Sequence, residues 1–298
     1  SVSLLWRKSQ EILRGAMNGR ERTVAEDNRE VYDFYEKGAE IGRLKRGLGI
    51  VEAARTKELL GRFLTPGMSV CDVGGGVGYY ASWLAGLGHQ VTLIELAPSA
   101  VEYARLHQPH PFRALSGDAR NLSCVERESV DAVLLMGPLY HLLQKEDRLL
   151  ALREAFRVLK PGGLLAAAGI SKFSSATWAL STYGVSNRYI DDEDYFNMLR
   201  EELTSGEHHR PDKFAPRFLT RAYFHTPEQL LQEIGKAGFC RAEPYAVEGC
   251  VWFTPDLEEK WSDPGQRRRL LELIRLTERQ ESLLGMSPHF LVFAEKVA

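Results

Sequence analysis

Hydrophobic and polar positions change their period along the chain, and the changes divide it into four pieces. Residues 1–65 carry apolar positions at helical spacing, interrupted near residues 47–49. Residues 66–170 alternate short apolar runs with amphipathic stretches, which is typical of strands that alternate with helices. Residues 171–222 lose this rhythm and residues 223–298 resume it. The pattern predicts a helical segment, an α/β core, an insertion and the completion of the core.

The individual elements follow from the same pattern. Short apolar runs predict strands over residues 68–73, 90–94, 112–115, 130–136, 164–170, 243–247 and 289–297. Helical periodicity predicts helices over residues 79–86, 147–159, 191–203, 227–237 and 265–284. Thr226 and Pro227 suit the N-cap and the first position of one of these helices. Strands that alternate with helices predict a mostly parallel sheet.

A glycine-rich turn separates the first predicted strand from the helix after it. Glycines at 74, 76 and 78 can adopt positive φ and let a ligand approach the backbone. The helix that follows points its first N–H groups toward such a ligand. Glu95 closes the second predicted strand, where a carboxylate suits a ribose diol. These features predict an adenosine-containing cofactor, whereas a purely structural turn would not need so many glycines.

Asp72 bears on which cofactor is bound. Gly76, Gly78 and Ala81 satisfy the dinucleotide pattern G-x-G-x-x-A, so an NAD(P)-dependent oxidoreductase is one open interpretation. However, a pyrophosphate site disfavours a carboxylate two residues before the first glycine. A cofactor with a positively charged amino-acid end tolerates it. The position of Asp72 therefore favours a cofactor of the second kind.

The order of motifs resembles that of a known enzyme family. Asp72-x-Gly74-x-Gly76-x-Gly78 resembles motif I of the class I S-adenosylmethionine-dependent methyltransferases and fits it without a gap. Further matching segments are Ser116-Gly117-Asp118-Ala119, the apolar run at 130–136, Gly137 to Leu142, and Lys160-Pro161-Gly162-Gly163. The resemblance covers residues 68–170, and the joint order of these segments is more specific than any one of them.

The resemblance implies a fold and a set of cofactor-binding residues. The expected fold is α/β: a Rossmann-like, seven-stranded, mostly parallel sheet with an antiparallel last strand, a helical N-terminal segment and a lid insertion. The expected cofactor is S-adenosylmethionine, at the carboxyl ends of the first two strands. In the family, an acid at the position of Asp118 binds the adenine amino group. The predicted cofactor residues are Asp72, Gly74, Gly75, Gly76, Gly78, Glu95, Leu96, Gly117, Asp118, Ala119, Met136 and Tyr35.

Two catalytic candidates follow the fourth predicted strand, which faces the methyl group in similar enzymes. His141 can take a proton near neutral pH, and Tyr140 stands beside it. Equally, His141 can cap the next helix or satisfy buried backbone. Tyr32 and Tyr35 can pack on a sulfonium through their aromatic faces, or they can be core residues of an N-terminal helix. The histidines at 208 and 209 suit a solvated turn, and no metal site is predicted.

Other segments bear on the acceptor. Residues 34–40, 55–60 and 282–289 resemble a group of bacterial small-molecule-type methyltransferases. Enzymes that methylate nucleic-acid amino groups carry Asn/Asp-Pro-Pro-aromatic after the fourth strand, and residues 136–140 here read Met-Gly-Pro-Leu-Tyr. The resemblance therefore implies a small-molecule acceptor that is methylated on oxygen, nitrogen or carbon. A catalytically silent cofactor-binding module is a further open interpretation.

Composition and charge agree with a globular protein. The 298 residues are 44% hydrophobic and 26% charged, with a formal net charge of −2. No basic field attracts nucleic acid, and no apolar run approaches the roughly 20 residues of a membrane span. The 4 cysteines have no metal-binding spacing. We therefore expect a cytoplasmic enzyme, either a monomer or a homodimer, with no membrane or nucleic-acid partner.

Overall fold

The short apolar runs of the sequence become the strands of a central sheet. The structure, a computed structural model, describes residues 42–214 and 219–297. Its strands are β1 (Ser69–Val73), β2 (Gln90–Glu95), β3 (Arg113–Ser116), β4 (Val130–Leu135), β5 (Leu159–Ile170), β6 (Glu207–His209), β7 (Arg221–Tyr223), β8 (Cys240–Ala246) and β9 (His289–Glu295). The central sheet has 7 strands in the order β3-β2-β1-β4-β5-β9-β8, and β6 pairs with β7 in a small second sheet.

Helices cover both faces of the central sheet. They are α1 (Gly49–Phe63), α2 (Tyr79–Gly86), α3 (Pro98–His107), α4 (Pro138–His141), α5 (Lys145–Val158), α6 (Ser174–Thr182), α7 (Glu193–Ser205), α8 (Pro227–Lys236), α9 (Leu257–Ser262), α10 (Pro264–Thr277) and α11 (Glu281–Leu284). Within residues 42–214 and 219–297, no helix has the length and apolar character that a membrane crossing requires.

Alternate residues of each strand enter two different cores. Cys71 and Val73 of β1 pack in the core that α5 and α8 cover, whereas Val70 packs in the core that α1, α2 and α3 cover. The same alternation divides Val133 from Leu134 on β4. Because both faces of the sheet are covered, its central strands read as continuous apolar runs in the sequence.

Strand directions confirm the expected Rossmann-like fold. Strands β1 to β5 pair with one another in parallel, and β9 runs antiparallel to both β5 and β8. Chain order reverses between β1 and β4, which is the switch point of this architecture. In the ladder between β5 and β9, Ile170 pairs with His289. The beginning of β9 therefore lies at the edge where the parallel strands end.

Most predicted elements are present, and one predicted helix is wrong. Helix α2 has the predicted bounds, and Thr226 caps α8 by accepting from the backbone N–H of Gln229. The helix predicted over residues 265–284 is instead α10 and α11. Helix α10 ends at Thr277, and the backbone carbonyl of Glu278, its C-cap residue, accepts from the N–H of Ala246 at 2.8 Å instead of continuing the helix. Its buried carboxylate pairs with Arg55 and Arg62.

The insertion at residues 171–222 has its own small core. Ala179 of α6 packs there with three buried residues of α7, which are Tyr195, Met198 and Leu199. The predicted helix over residues 191–203 is present with slightly later bounds. Asp192 caps it by accepting from the N–H groups of Asp194 and Tyr195 at 3.0 and 3.1 Å. The four-piece division of the chain stays a prediction, because this packing does not define independent units.

A buried ion pair anchors the segment that follows β4. Both Nε and Nη2 of Arg148 donate to the carboxylate of Glu233, at 2.9 and 2.8 Å, which ties α5 to α8. The remaining Nη1 donates to the carbonyls of Leu142 and Leu143 at 2.9 and 2.7 Å. His225, fully buried, contacts the same carboxylate. One guanidinium thus holds two helices and the end of α4 together.

Replacement of Arg148 by methionine should destabilise the protein strongly. The substitution leaves Glu233 buried without its cation and two carbonyls without a donor, which typically costs about 3–5 kcal/mol. Chemical denaturation of both proteins measures the difference. Arg153→Met is the matched control, since Arg153 lies exposed on the same helix, and it should cost less than about 0.5 kcal/mol. Equal losses from the two substitutions would contradict this account.

Candidate functional site

A cavity of about 440 Å³ opens at the switch point of the sheet. Its volume lies within the range of small-molecule sites. Residues of β1, β5, β9 and α1 line it, together with the turn after β1, the segment after β4 and the segment before α1. They include Asp72, Gly74, Gly75, Gly76, Met136, Tyr140, Ala168, Leu291, His289, Glu52, Thr56 and Arg43. The cavity therefore joins the glycine-rich turn to the segment after β4.

The glycine-rich turn adopts a backbone that other residues disfavour. Gly74, Gly76 and Gly78 have φ of 70°, 56° and 77°, and Gly78 is the N-cap residue of α2. A Cβ atom at Gly74 would lie 2.5 Å from Cγ of Pro138, so the turn packs directly against the segment after β4. A Cβ atom at Gly78 would lie 2.7 Å from the ring of Phe112. Gly78 therefore serves internal packing, and Gly76 faces the cavity.

Asp72 is a buried carboxylate in the wall of the cavity. It is 1% exposed, and neither of its oxygens has a hydrogen-bond partner of ordinary geometry among the described residues. A Cβ atom at Gly75 would overlap its carboxyl group, so glycine is needed there. Burial raises the pKa of Asp72 to about 7, the charge of Glu95 adds to this, and the Ala81 backbone N–H opposes both. A cationic ligand group would offset the cost of ionising this carboxyl group.

Glu95 joins the glycine-rich turn to the loop after β2. One carboxylate oxygen accepts from the N–H of Gly76 at 2.9 Å, and the other accepts from the N–H of Ala97 at 3.0 Å. The side chain is buried and is absent from the cavity wall that the described residues form. Glu95 thus fixes the backbone of Gly76. Leu96 lies between Glu95 and Ala97 in the chain. The role of Glu95 toward a ribose stays a prediction.

The segment after β3 is held by an ion pair. The Nη2 atom of Arg120 donates to Asp118 at 3.0 Å, and its Nη1 donates to Asp147 at 2.8 Å. A Cβ atom at Gly117 would lie 2.8 Å from a methyl carbon of Ile94, so that glycine is needed for packing. Gly117, Asp118 and Ala119 are absent from the cavity wall that the described residues form. Their contacts with adenine stay a prediction.

The two catalytic candidates have different surroundings. Tyr140 and Met136 line the cavity, whereas His141 is not among the described residues that do so. Burial lowers the pKa of His141 to about 4, against a contribution from the Arg221 backbone that raises it. Such an imidazole is neutral but a weak base at pH 7. The geometry therefore favours Tyr140 over His141 as the residue that contacts an acceptor.

Several cavity residues were not predicted from the sequence. Glu52 and Thr56 come from α1, and His289 and Leu291 come from the start of β9. The sequence did contain a signal that His289 lies at the site: it begins the predicted last strand, and an antiparallel last strand begins at the edge where the parallel strands end. Tyr32 and Tyr35 lie outside the described residues. Residues 42–45 of the N-terminal segment line the cavity, whereas no described residue of the predicted lid insertion at 171–222 does.

Comparisons with known proteins agree with this geometry. A family model described as "Methyltransferase domain" matches residues 71–167. A Xanthomonas campestris pv. campestris protein named "Ubiquinone biosynthesis O-methyltransferase" is 32% identical over 195 residues, which are 64% of this chain and 74% of the relative.

Solved structures share the fold at low sequence identity. An S-adenosylmethionine-dependent methyltransferase from Mesorhizobium loti superposes with a TM-score of 0.54 at 18% identity, over 82% of this chain and 99% of that one. A methyltransferase from Methanosarcina mazei gives 0.52 at 20% identity, over 80% and 97% of the two chains. At these identities the likeness concerns the fold alone.

Replacement of Asp72 by asparagine should change how stability depends on pH. The raised pKa of Asp72 means that the folded protein keeps a proton which the unfolded chain loses near pH 4. The stability therefore falls as pH rises from about 4 to 7, by up to about 4 kcal/mol. Asp72→Asn removes this loss, so the variant should gain stability over the wild type between pH 5 and about 7.5 in thermal denaturation.

The control is the same substitution at Asp131, at the opposite edge of the sheet. Lys160 and Ser69 hold the pKa of Asp131 at about 2 against burial, which raises it. Its contribution is complete above pH 4 and is lost only in more acidic solution. Asp131→Asn should thus leave the slope between pH 5 and about 7.5 unchanged. An Asp72→Asn variant with the wild-type slope would show that Asp72 is ionised in the folded protein.

Proposed function

The chain belongs to the class I S-adenosylmethionine-dependent methyltransferases, and from this premise we propose that it methylates an oxygen atom of a small organic acceptor. The observation that carries the proposal is a single cavity that joins the glycine-rich turn to Tyr140 and His289. Relatives of the chain are named ubiquinone biosynthesis O-methyltransferases, which supports oxygen as the attacking atom. The net charge of −2 supports a small molecule over nucleic acid.

The residues of the cavity fit S-adenosylmethionine. The buried and unpartnered carboxylate of Asp72 suits the cationic amino-acid end, and the left-handed glycines leave the backbone open beside it. We propose that Gly74, Gly75 and Gly76 contact the cofactor directly, with Gly78 shaping the turn. Met136 then borders the reacting end of the site. A buried carboxylate in this place is unfavourable for a dinucleotide pyrophosphate, so an NAD(P)-dependent oxidoreductase is not favoured.

The outer cofactor contacts are proposed from the family resemblance. Glu95 and Leu96 lie at the end of β2, where a ribose would bind, and Glu95 already fixes Gly76. Asp118, between Gly117 and Ala119, would accept from the adenine amino group. Its pairing with Arg120 keeps the carboxylate in one orientation. Tyr35 is proposed to pack on the sulfonium, and it lies outside the described residues.

When bound, the cofactor supplies a sulfonium whose methyl group is already activated. The chain itself orients the acceptor and excludes water. Met136, Ala168 and Leu291 give the cavity apolar walls, and Tyr140 offers an aromatic face and a hydroxyl at the same place. We propose that Tyr140 aligns the acceptor, since alignment at near-attack distance is the main contribution of the protein. The ring of His141 lies 4.7 Å from the ring of Tyr140, and a proton-removing role for His141 is tested by His141→Ala.

Replacement of Gly76 by alanine should weaken binding of S-adenosylhomocysteine by more than about tenfold. A methyl group on Gly76 would enter the space that the cofactor needs, and the left-handed backbone costs about 1–2 kcal/mol in stability. Isothermal calorimetry measures the affinity. Gly162→Ala is the matched control, because Gly162 has φ of 78° and open space around it. It should lose similar stability and keep full affinity.

Methyl transfer itself is tested with S-adenosylmethionine that carries a labelled methyl group. We expect label in hydroxyl-bearing small molecules from a panel that also contains amines, carboxylic acids, RNA and proteins. Asp72→Asn should reduce transfer through weaker cofactor binding, because it removes the carboxylate that pairs with the amino group. Binding of NAD with no response to S-adenosylhomocysteine would refute the proposed function. Label found only in amines would refute the choice of oxygen.

A further inference from the structure

A histidine that lines the cavity, and a buried glutamate that contacts it, stand at the start of β9, three strands from the strand that precedes the glycine-rich turn. His289 is the first residue of β9 and lines the cavity. In the sheet, β9 lies two strands from β4, which is about 10 Å at the usual strand spacing. His289 therefore faces the cavity beyond Met136 and Tyr140. That is the end where an acceptor would lie if the cofactor occupies the turn.

Carboxylates hold one nitrogen of the imidazole. The Nδ1 atom of His289 lies 2.6 Å from an oxygen of Glu248 and 3.9 Å from an oxygen of Glu52. Glu248 is fully buried, and its other oxygen accepts from the backbone N–H of His289 at 3.0 Å and from the hydroxyl of Ser287 at 3.1 Å. The carboxylate thus fixes both the position and the tautomer of the ring.

The other nitrogen of the imidazole is available to a ligand. Every contact that the described residues make with this ring is at Nδ1, and the side chain is 25% exposed. The Nε2 atom makes no hydrogen bond or ion pair with a described residue, and it is the ring nitrogen left for a ligand in the cavity. A buried carboxylate on Nδ1 with an open Nε2 is the arrangement of a histidine that acts as a general base.

We propose that His289, oriented by Glu248, removes the proton from the acceptor hydroxyl, and that the acceptor is a phenol. This inference rests on the proposed function. The acceptor O–H gives its proton to Nε2 of His289. The oxygen then forms a bond to the methyl carbon while the bond between that carbon and sulfur breaks, and the electron pair stays on sulfur. His289 afterwards releases the proton to solvent.

The carboxylates bring the pKa of the His289 imidazole close to the pKa of a phenol. Burial lowers the pKa of His289, but Glu248 and Glu52 outweigh burial and Arg43 and raise it to about 9. A phenol has a pKa of about 10, so proton transfer to His289 is unfavourable by only about tenfold. Transfer to an ordinary imidazole, with a pKa of about 6.5, would be unfavourable by more than a thousandfold. A carboxylic acid needs no such base.

Other groups around His289 come from α1 and the segment before it. Arg43 donates two hydrogen bonds to the carboxylate of Glu52, at 2.5 and 2.9 Å. Tyr80 of α2 has a raised pKa through burial and the charge of Glu52, so its hydroxyl stays neutral. Glu52, Glu248 and His289 could also hold a metal ion between them. However, Arg43 and the shared proton already occupy the positions around their oxygens, which favours a proton site.

The first test is the pH dependence of transfer from labelled S-adenosylmethionine to catechol (1,2-dihydroxybenzene). For the wild type, kcat/KM should rise with pH up to about 9, as the proton leaves His289. His289→Gln should lower kcat by about 10²–10⁴-fold with unchanged affinity for S-adenosylhomocysteine. Glu248→Gln should move the rising limb to lower pH and reduce the maximum rate. Glu243→Gln, on the neighbouring strand and partly exposed, is the control and should change neither.

The second test needs no activity. Nuclear magnetic resonance of the histidine rings, with His289 assigned through His289→Gln, should give a pKa near 9 in the wild type. The pKa of His289 should fall in Glu248→Gln and should fall by less in Glu52→Gln. The Glu52→Gln variant provides the test by itself if Glu248→Gln does not fold. An unchanged pKa in both variants would overturn the inference.

Further outcomes separate this inference from the proposed function. Failure to bind S-adenosylhomocysteine would refute the proposed function itself. Full affinity with normal turnover in His289→Gln would refute the base and leave the methyltransferase intact. Transfer to carboxylic acids but not to catechol would refute the phenol. Loss of activity with a chelator, restored by Mg²⁺ or Zn²⁺, would overturn the inference in favour of a metal site.

Discussion

The antiparallel ladder between β5 and β9 is the constraint on which the cavity depends. Parallel strands bring only their carboxyl ends to one edge of a sheet, so β1 and β4 contribute the residues that follow them. Because β9 runs the other way, its first residues reach the same edge, and His289 pairs there with Ile170. One reversed strand therefore adds a titratable group, His289, to a cavity that α1, β1, β5 and the segments after β1 and β4 also line.

Buried ionisable groups are a second feature of this molecule, and their effect on the stability of the folded state differs between sites. Asp72 is buried with no cation beside it among the described residues, so the folded state is less stable when that carboxyl group is ionised. Arg148 and Glu233 are buried together, and their hydrogen bonds offset the loss of water. Asp72 lines the cavity, whereas Arg148 and Glu233 are not among the described residues that do so. This contrast is what a binding site on a rigid support requires.

The fold and part of the site were predictable from local features of the sequence. The alternation of strands and helices, the glycine-rich turn and Asp72 all follow from residues that are close in the chain. The cap at Thr226 was equally local. The helix predicted over residues 265–284 was wrong because Glu278 makes contacts with Ala246, Arg55 and Arg62, which are distant in sequence. Periodicity cannot detect such contacts.

The sequence by itself determined the family, the cofactor class and the edge of the sheet where the site lies, because short apolar runs and glycines act through the local backbone. Only the tertiary structure decided which side chains meet in the cavity. It distinguished Tyr140 from His141, although they are neighbours in sequence, because Tyr140 lines the cavity and His141 is not among the described residues that do. It joined Glu52, Glu248 and His289, which the chain separates widely, because α1, the end of β8 and the start of β9 converge at one edge.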